Sequence, residues 1–164
     1  MIARGYQREF EEFVRDSSDR LVRTAYLLCG DRGHAEDMTQ TALLRTARRW
    51  RSARTSPEAY ARRVVVNLAK DRWRALSRRP PETGLEVDVP IATDGPADAD
   101  DRLLRAVRTL PDGQQAVLVL RFFDDLSVAE TAAALGCSDG TVKSQTARAL
   151  ERLRSIYAPE REHR

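Results

Sequence analysis

This chain of 164 residues is short of the side chains from which active sites are built, with two histidines, two cysteines and, among 28 basic residues, lysine only at 70 and 143. Neither His34 nor His163 stands at metal-ligand spacing from Cys29 or Cys137, which excludes the common zinc patterns. His34 beside Glu36 and Asp37 is most simply a helix start, where the dipole favours acids. No nucleophile elbow and no glycine-rich phosphate cradle occurs. The chain is therefore expected not to be an enzyme, with no catalytic residues, no metal and no cofactor. Cys29 and Cys137 lie far apart in helical contexts, a pattern of free thiols in a reducing compartment rather than of a disulfide. No apolar run approaches the 18 residues of a membrane span, and the N-terminus has no signal-type apolar core. No membrane insertion is expected, and the protein should be soluble and cytoplasmic. Strand-like alternation and internal repeats are also missing, so the expected fold is all-α.

Charge is present in quantity but unevenly spread. The net charge is only +3. Residues 1–79 nevertheless hold 18 basic and 10 acidic side chains, whereas residues 80–101 hold seven acids and no base. Two basic blocks around an acidic connector suit polyanion-binding modules joined by a segment that avoids nucleic acid, although a solvated charged surface would have the same composition.

Taken in order, residues 6–30 form a first expected helix, with Phe10, Phe13, Val14, Leu21, Ala25 and Leu28 on its core face. The stretch from Gly30 to Gly33 breaks it. A second helix is expected from about His34 to Trp50, burying Ala35, Met38, Ala42 and Trp50. Its opposite stripe carries Asp37, Gln40, Thr41, Leu44 and Arg48; an exposed leucine between polar groups suits a partner surface, though lone exposed leucines are common. Arg48, Arg49, Arg51 and Arg54 form a basic run into a loop ending at Ser56, where Ser56 as N-cap and Pro57 as first helical residue open a third helix to about Ser77. Val64, Val65, Leu68, Ala69 and Leu76 fit its buried side, and Arg62, Arg63, Lys70, Arg72, Arg74, Arg78 and Arg79 decorate the rest. Tyr60, Asn67 and Trp73 are interleaved among these charges, which suits single-stranded nucleic acid; core packing is the competing account for Tyr60 and Trp73, and the better one for Trp73.

Pro80-Pro81 end that helix, and the residues to 100 read as an extended acidic linker. Structure resumes near Asp101 with Leu103, Leu104, Val107 and Leu110, stopped by Pro111. Asp112 with Gln115 has the spacing of a capping box opening a helix to about Phe123. Ser127 and Glu130 have the same spacing ahead of Val128, Ala132 and Leu135, and Gly136 stops that helix. Ser138 is placed to cap a last helix whose stripe of Val142, Thr146, Ala149, Leu150 and Leu153 faces inward. The opposite face holds Thr141, Ser144, Ala147 and Arg148, flanked by Lys143. Small, polar and basic, it is the face that a helix-turn-helix lays in the DNA major groove; an ordinary helical hairpin would share the pattern. The expected division is 1–79, linker 80–100, 101–157 and a tail 158–164, with no further domain after it.

Three stretches in this order carry a family resemblance: HAEDMTQTALLRTARRW, SPEAYARRVVVNLAKDRWR and LPDGQQAVLVLRFFDDLSVAETAAALGCSDGTVKSQTARAL. The chain resembles, from about Tyr6 to Tyr157, bacterial RNA polymerase sigma factors of the extracytoplasmic-function class, and its wording is similar to an actinobacterial, sigma-E-like subgroup. The resemblance implies two small helical domains, sigma regions 2 and 4, and an alternative sigma factor that recruits core RNA polymerase to a promoter subset. It implies that Asp37, Gln40, Thr41, Leu44 and Arg48 meet the β′ clamp helices. Arg51, Arg54, Ser56, Arg62, Arg63, Asn67, Lys70 and Arg74 would capture the melted non-template strand of the minus-ten element, with Asn67 near a flipped base. Arg121, Thr141, Lys143, Ser144, Ala147 and Arg148 would read the duplex minus-thirty-five element, and the rest of that domain would rest on the β flap. The linker would enter the polymerase cleft, and an anti-sigma factor is an expected partner. Departures occur at Thr41, where the family has glutamate, at Gln145 in place of arginine, and at Ala147; Val128 and Ala129 offer no polar group. These leave the promoter sequence open. A two-domain regulator working without polymerase, or a polymerase-binding adaptor or antagonist, would share part of the pattern.

Overall fold

The computed structural model describes residues 3–78 and 99–157, which fall into two compact units. Every regular element among the described residues is helical. The expected linker and C-terminal tail lie outside the described residues.

The first unit holds α1 (Arg4–Cys29), α2 (Arg32–Arg48), a single-turn α3 (Trp50–Ala53) and α4 (Pro57–Ser77). α1, α2 and α4 pack pairwise on one another. Their shared core takes Leu21, Ala25 and Leu28 from α1, Ala35, Met38 and Ala42 from α2, and Val65, Val66 and Ala69 from α4, all buried. At one end Phe10, Phe13 and Trp50 form an aromatic cluster, with Phe10 edge-on to Trp50 at 5.2 Å between centroids. Such pairs prefer tilted or edge contacts because ring faces are negative and ring edges positive. Gly30 ends α1 at φ 76°, and its N–H bonds to the Tyr26 carbonyl. The break is shorter than expected. Asp31 is already the N-cap of α2, its carboxylate accepting from the His34 N–H, so Gly33 sits inside the first turn. Trp50 is buried as expected, but on α3 rather than at the end of α2.

α4 has the expected bounds, and two details differ. Ser56 is in the N-cap position, yet its side chain makes no capping bond; Pro57 at the first position needs none for its absent N–H. Leu76, in the last turn of α4, is exposed, whereas Ala61 and Val66 are buried. The Trp73 indole N–H donates to the Leu28 carbonyl at 3.1 Å, which ties α4 to the end of α1. Trp73 is therefore a packing residue.

The second unit holds α5 (Ala99–Arg108), α6 (Asp112–Leu118), a π-helical segment (Val119–Phe123), α7 (Val128–Leu135) and α8 (Asp139–Tyr157). Val107, Leu110, Leu118 and Ala149 form a buried cluster, with Leu150 and Leu153 packed against it. Leu103, expected inward, is exposed. The capping box expected at Asp112 and Gln115 does not form: Pro111 is the N-cap, Asp112 is already helical, and Gln115 is buried. Nor is the run to Phe123 a continuous α-helix. The Asp124 N–H bonds to the Val119 carbonyl, five residues back, and the Leu126 N–H to the Leu120 carbonyl. Asp125, at φ 54°, then turns the chain into α7, a left-handed conformation that aspartate tolerates better than most residues.

Candidate nucleic-acid and partner interfaces

The turn between α7 and α8 is fixed by three local devices. Ser127 and Glu130 make the reciprocal capping box: the Glu130 N–H donates to the Ser127 hydroxyl at 3.0 Å and the Ser127 N–H to the Glu130 carboxylate at 3.2 Å. Gly136 ends α7 at φ 70°, where a Cβ would be strained. The Thr141 N–H donates to the Ser138 hydroxyl at 3.1 Å, which starts α8. Val142 and Ala149 are fully buried, so the helix is held in one rotation. Thr141, Lys143, Ser144, Ala147 and Arg148 all lie exposed on its outer side, as expected. Gln145 is not among them. It is half-buried and lies over α6, where a Cβ on Gly113 would stand 3.5 Å from its amide nitrogen. The departure at this position is thus an internal packing contact.

Arg121 is half-buried on the π-helical segment, with its guanidinium donating to the Leu126 carbonyl at 3.5 Å and lying 5.9 Å from the centre of the Phe122 ring. Phe122 itself is 53% exposed, large for an aromatic ring in so small a unit.

On the first unit, Arg63, Asn67 and Arg74 share one exposed face of α4, with half-buried Arg62 and Lys70 beside them. Arg74 is 3.7 Å from Asp71, an exposed pair of little energetic weight. Ahead of α4, Arg51 is exposed on α3 and Ser56 on the loop that follows it. Arg54 is engaged: its guanidinium reaches Glu9 at 3.1 Å and lies 4.7 Å from the centre of the Tyr6 ring, which ties the loop to the start of α1. A second tie joins Glu58, just past the loop, to Arg20 at 3.6 Å and to the buried Ser17 hydroxyl at 3.4 Å. These ties were not expected from the sequence, since no local periodicity relates Glu9 to Arg54. The same region holds a hollow of about 470 Å³ lined by Tyr6, Arg48, Arg49, Trp50, Arg51 and Ser52 among others. On α2, Asp37, Gln40, Leu44 and Arg48 are exposed and Thr41 half-buried; Leu44 is 53% exposed.

Among the described residues no group of histidine, cysteine and acidic side chains is arranged to hold a metal, and no helix is long and apolar enough to cross a membrane. Neither Cys29 nor Cys137 is in a disulfide. What the geometry offers is a basic and amide-bearing face on one unit and a helix-turn-helix face on the other.

Two family models match the chain, Sigma-70 region 2 over residues 13–79 and Sigma-70, region 4 over residues 100–153. The RNA polymerase sigma-E factor of Streptomyces avermitilis is 43% identical over 157 residues, covering 93% of this chain and 87% of that protein. Its counterpart in Streptomyces coelicolor is 44% identical over 150 residues, covering 89% and 84%. Among solved structures, the sigma factor RpoE in complex with the anti-sigma factor NepR from Bartonella quintana matches with TM-score 0.70 at 23% identity, over 94% of this chain and 99% of that one. CnrH in complex with the cytosolic domain of CnrY matches with TM-score 0.63 at 21% identity, over 92% and 88%. At these identities the two structures speak for the fold alone.

Proposed function

The chain belongs to the sigma-70 family of RNA polymerase sigma factors, in its extracytoplasmic-function class, and from that membership we propose how its surfaces divide the work of starting transcription. It is an alternative sigma factor, a protein that directs core RNA polymerase to a subset of promoters. Family members act as initiation factors, with the polymerase supplying the chemistry. The work is done where the DNA is, in the cytoplasm.

The α2 stripe of Asp37, Gln40, Thr41, Leu44 and Arg48 docks on the β′ clamp helices, with Leu44 as its apolar anchor. The α4 face and its loop hold the melted non-template strand at the minus-ten element. Arg51, Arg62, Arg63, Lys70 and Arg74 take phosphates, Asn67 meets a base edge, and Ser56 keeps a hydroxyl free of helix capping. Arg54 joins this set through the loop it anchors rather than as a loose charge. In the second unit Thr141, Lys143, Ser144, Ala147 and Arg148 read the minus-thirty-five duplex, with Arg121 bracing the turn beneath them. Other surface of this unit rests on the β flap. Residues 1–79 and 101–157 serve as the two binding modules, and the acidic 80–100 segment runs through the polymerase cleft. Because sigma factors similar in fold are complexed with anti-sigma proteins, an anti-sigma factor is the expected negative regulator.

One observation carries this reading: a capped, rotationally fixed helix-turn-helix with a small, polar and basic outer face in the same chain as a basic, asparagine-bearing α4. Run-off transcription by core polymerase plus this protein on a fragmented genomic library tests it. Discrete start sites sharing spaced upstream elements are expected. Duplex binding without any stimulated transcription would replace this reading with that of a regulator acting without polymerase.

A further inference from the structure

A hollow of about 460 Å³ between α6 and α8 is lined by Gln114, Arg148, Glu151, Arg152 and Ser155. Gln114 is 8% exposed, and its amide oxygen is buried without a hydrogen-bond partner. A buried acceptor without a partner is costly, so it is seldom left without a task. Arg148 and Arg152 are exposed and lie one helical turn apart, continuing the stripe of Thr141 and Ser144 along α8. With 19 residues and 1.5 Å of rise per residue, α8 is about 28 Å long, more than twice the major groove's width of about 12 Å. Laid across the groove, a helix of that length extends past it to the flanking sugar-phosphate strand.

We infer that this hollow is a seat for a backbone phosphate of duplex DNA flanking the minus-thirty-five element, with Arg152 as the phosphate contact and Gln114 as the group that positions it. A guanidinium has five N–H donors in a fixed fork. One edge donates to the Gln114 amide oxygen while the other donates to the phosphate, so the unsatisfied acceptor is filled when DNA binds. Glu151 also lines the hollow. The inference rests on the proposed reading of α8 and adds to it a contact that carries affinity without sequence preference.

The test uses holoenzyme, assembled from core polymerase and the full chain, bound to a promoter duplex and to one with a scrambled minus-thirty-five element between 50 and 200 mM salt. Neutralising one phosphate contributes about 0.9 to the slope of log affinity against log salt, which over this fourfold range is about threefold in affinity. Arg152→Ala should lower the slope by that amount and leave the promoter-to-scrambled ratio unchanged, while Arg152→Lys should restore the slope. Gln114→Leu should weaken binding to both duplexes equally while keeping the slope. An unchanged slope in Arg152→Ala, or a collapsed ratio, overturns the phosphate seat. So does a loss of core-polymerase capture by Arg152→Ala in the absence of DNA, which would make the hollow a polymerase contact. Unsubstituted holoenzyme that cannot tell the two duplexes apart would sink the reading of α8 as well.

Discussion

Arg148 stands exposed one turn beyond Ser144 on a helix whose rotation is set by Val142 and Ala149. A two-pronged arginine–guanine contact contributes about 1–3 kcal/mol of discrimination, so Arg148→Ala should cut promoter-specific run-off transcription about 5- to 150-fold. Capture of core polymerase in a pull-down should be unchanged; equal loss of both would remove Arg148 from the DNA face. Asp31 gives a second expectation. Its carboxyl is held below the usual range chiefly because the His34 N–H bonds its charged form. That stabilisation is complete above the unfolded value of about 3.9 and is lost as pH falls through the lowered folded value. Asp31→Asn, which still caps, should flatten the acid limb of the stability-against-pH curve with little change at neutral pH, as followed by circular dichroism. Residues on α8 were legible in the sequence because each position's exposure follows from 3.6-residue periodicity. Arg54 and Gln145 were not, since their partners Glu9 and Gly113 are distant in the chain and only packing brings them near.

At the scale of elements, the same serine- or aspartate-led spacing succeeded once and failed once. Ser127 and Glu130 form their box because Ser127 is extended, with φ −66° and ψ 167°, and both groups are exposed. Asp112 fails because Pro111 takes the cap and Gln115 is drawn into the core. Ser127→Ala should therefore lower stability by about 1 kcal/mol in denaturant titration, while Asp112→Ala, which breaks no box, should cost less. If Asp112→Ala costs as much as Ser127→Ala, the cap assignment at Pro111 is wrong. The π-helical segment was beyond the reach of periodicity, because one extra residue in a turn changes no composition. It is read only from the bond between Asp124 and Val119. Helix bounds, in contrast, were legible wherever Gly or Pro punctuates them, as at Gly30, Pro57 and Gly136.

For the whole molecule, two compact units in one chain imply two separately held cores. Trp50 is 3% exposed and packs against Phe10 and Phe13. Trp50→Ala should cost about 3–5 kcal/mol, a large share of a small unit's stability. Hydrogen exchange should show the loss of protection within residues 3–78, with residues 99–157 protected as before. Loss spread evenly over both would mean that they fold as one. The all-helical architecture and the order of its two units were legible from composition and punctuation. The ties that shape the first unit's loop, Glu9 to Arg54 and Ser17 to Glu58, were not, because each spans more than forty residues.

The amide of Gln145 resting over Gly113 has a consequence for engineering. Recognition helices are attractive parts to swap when orthogonal promoters are wanted for synthetic circuits. In this protein α8 is not a free-standing cartridge, because the Gln145 side chain on its underside packs over α6 at Gly113. A transplanted helix with arginine at 145 would set a longer, charged side chain against α6, and a graft that carries α6 and α8 together keeps that contact as it is.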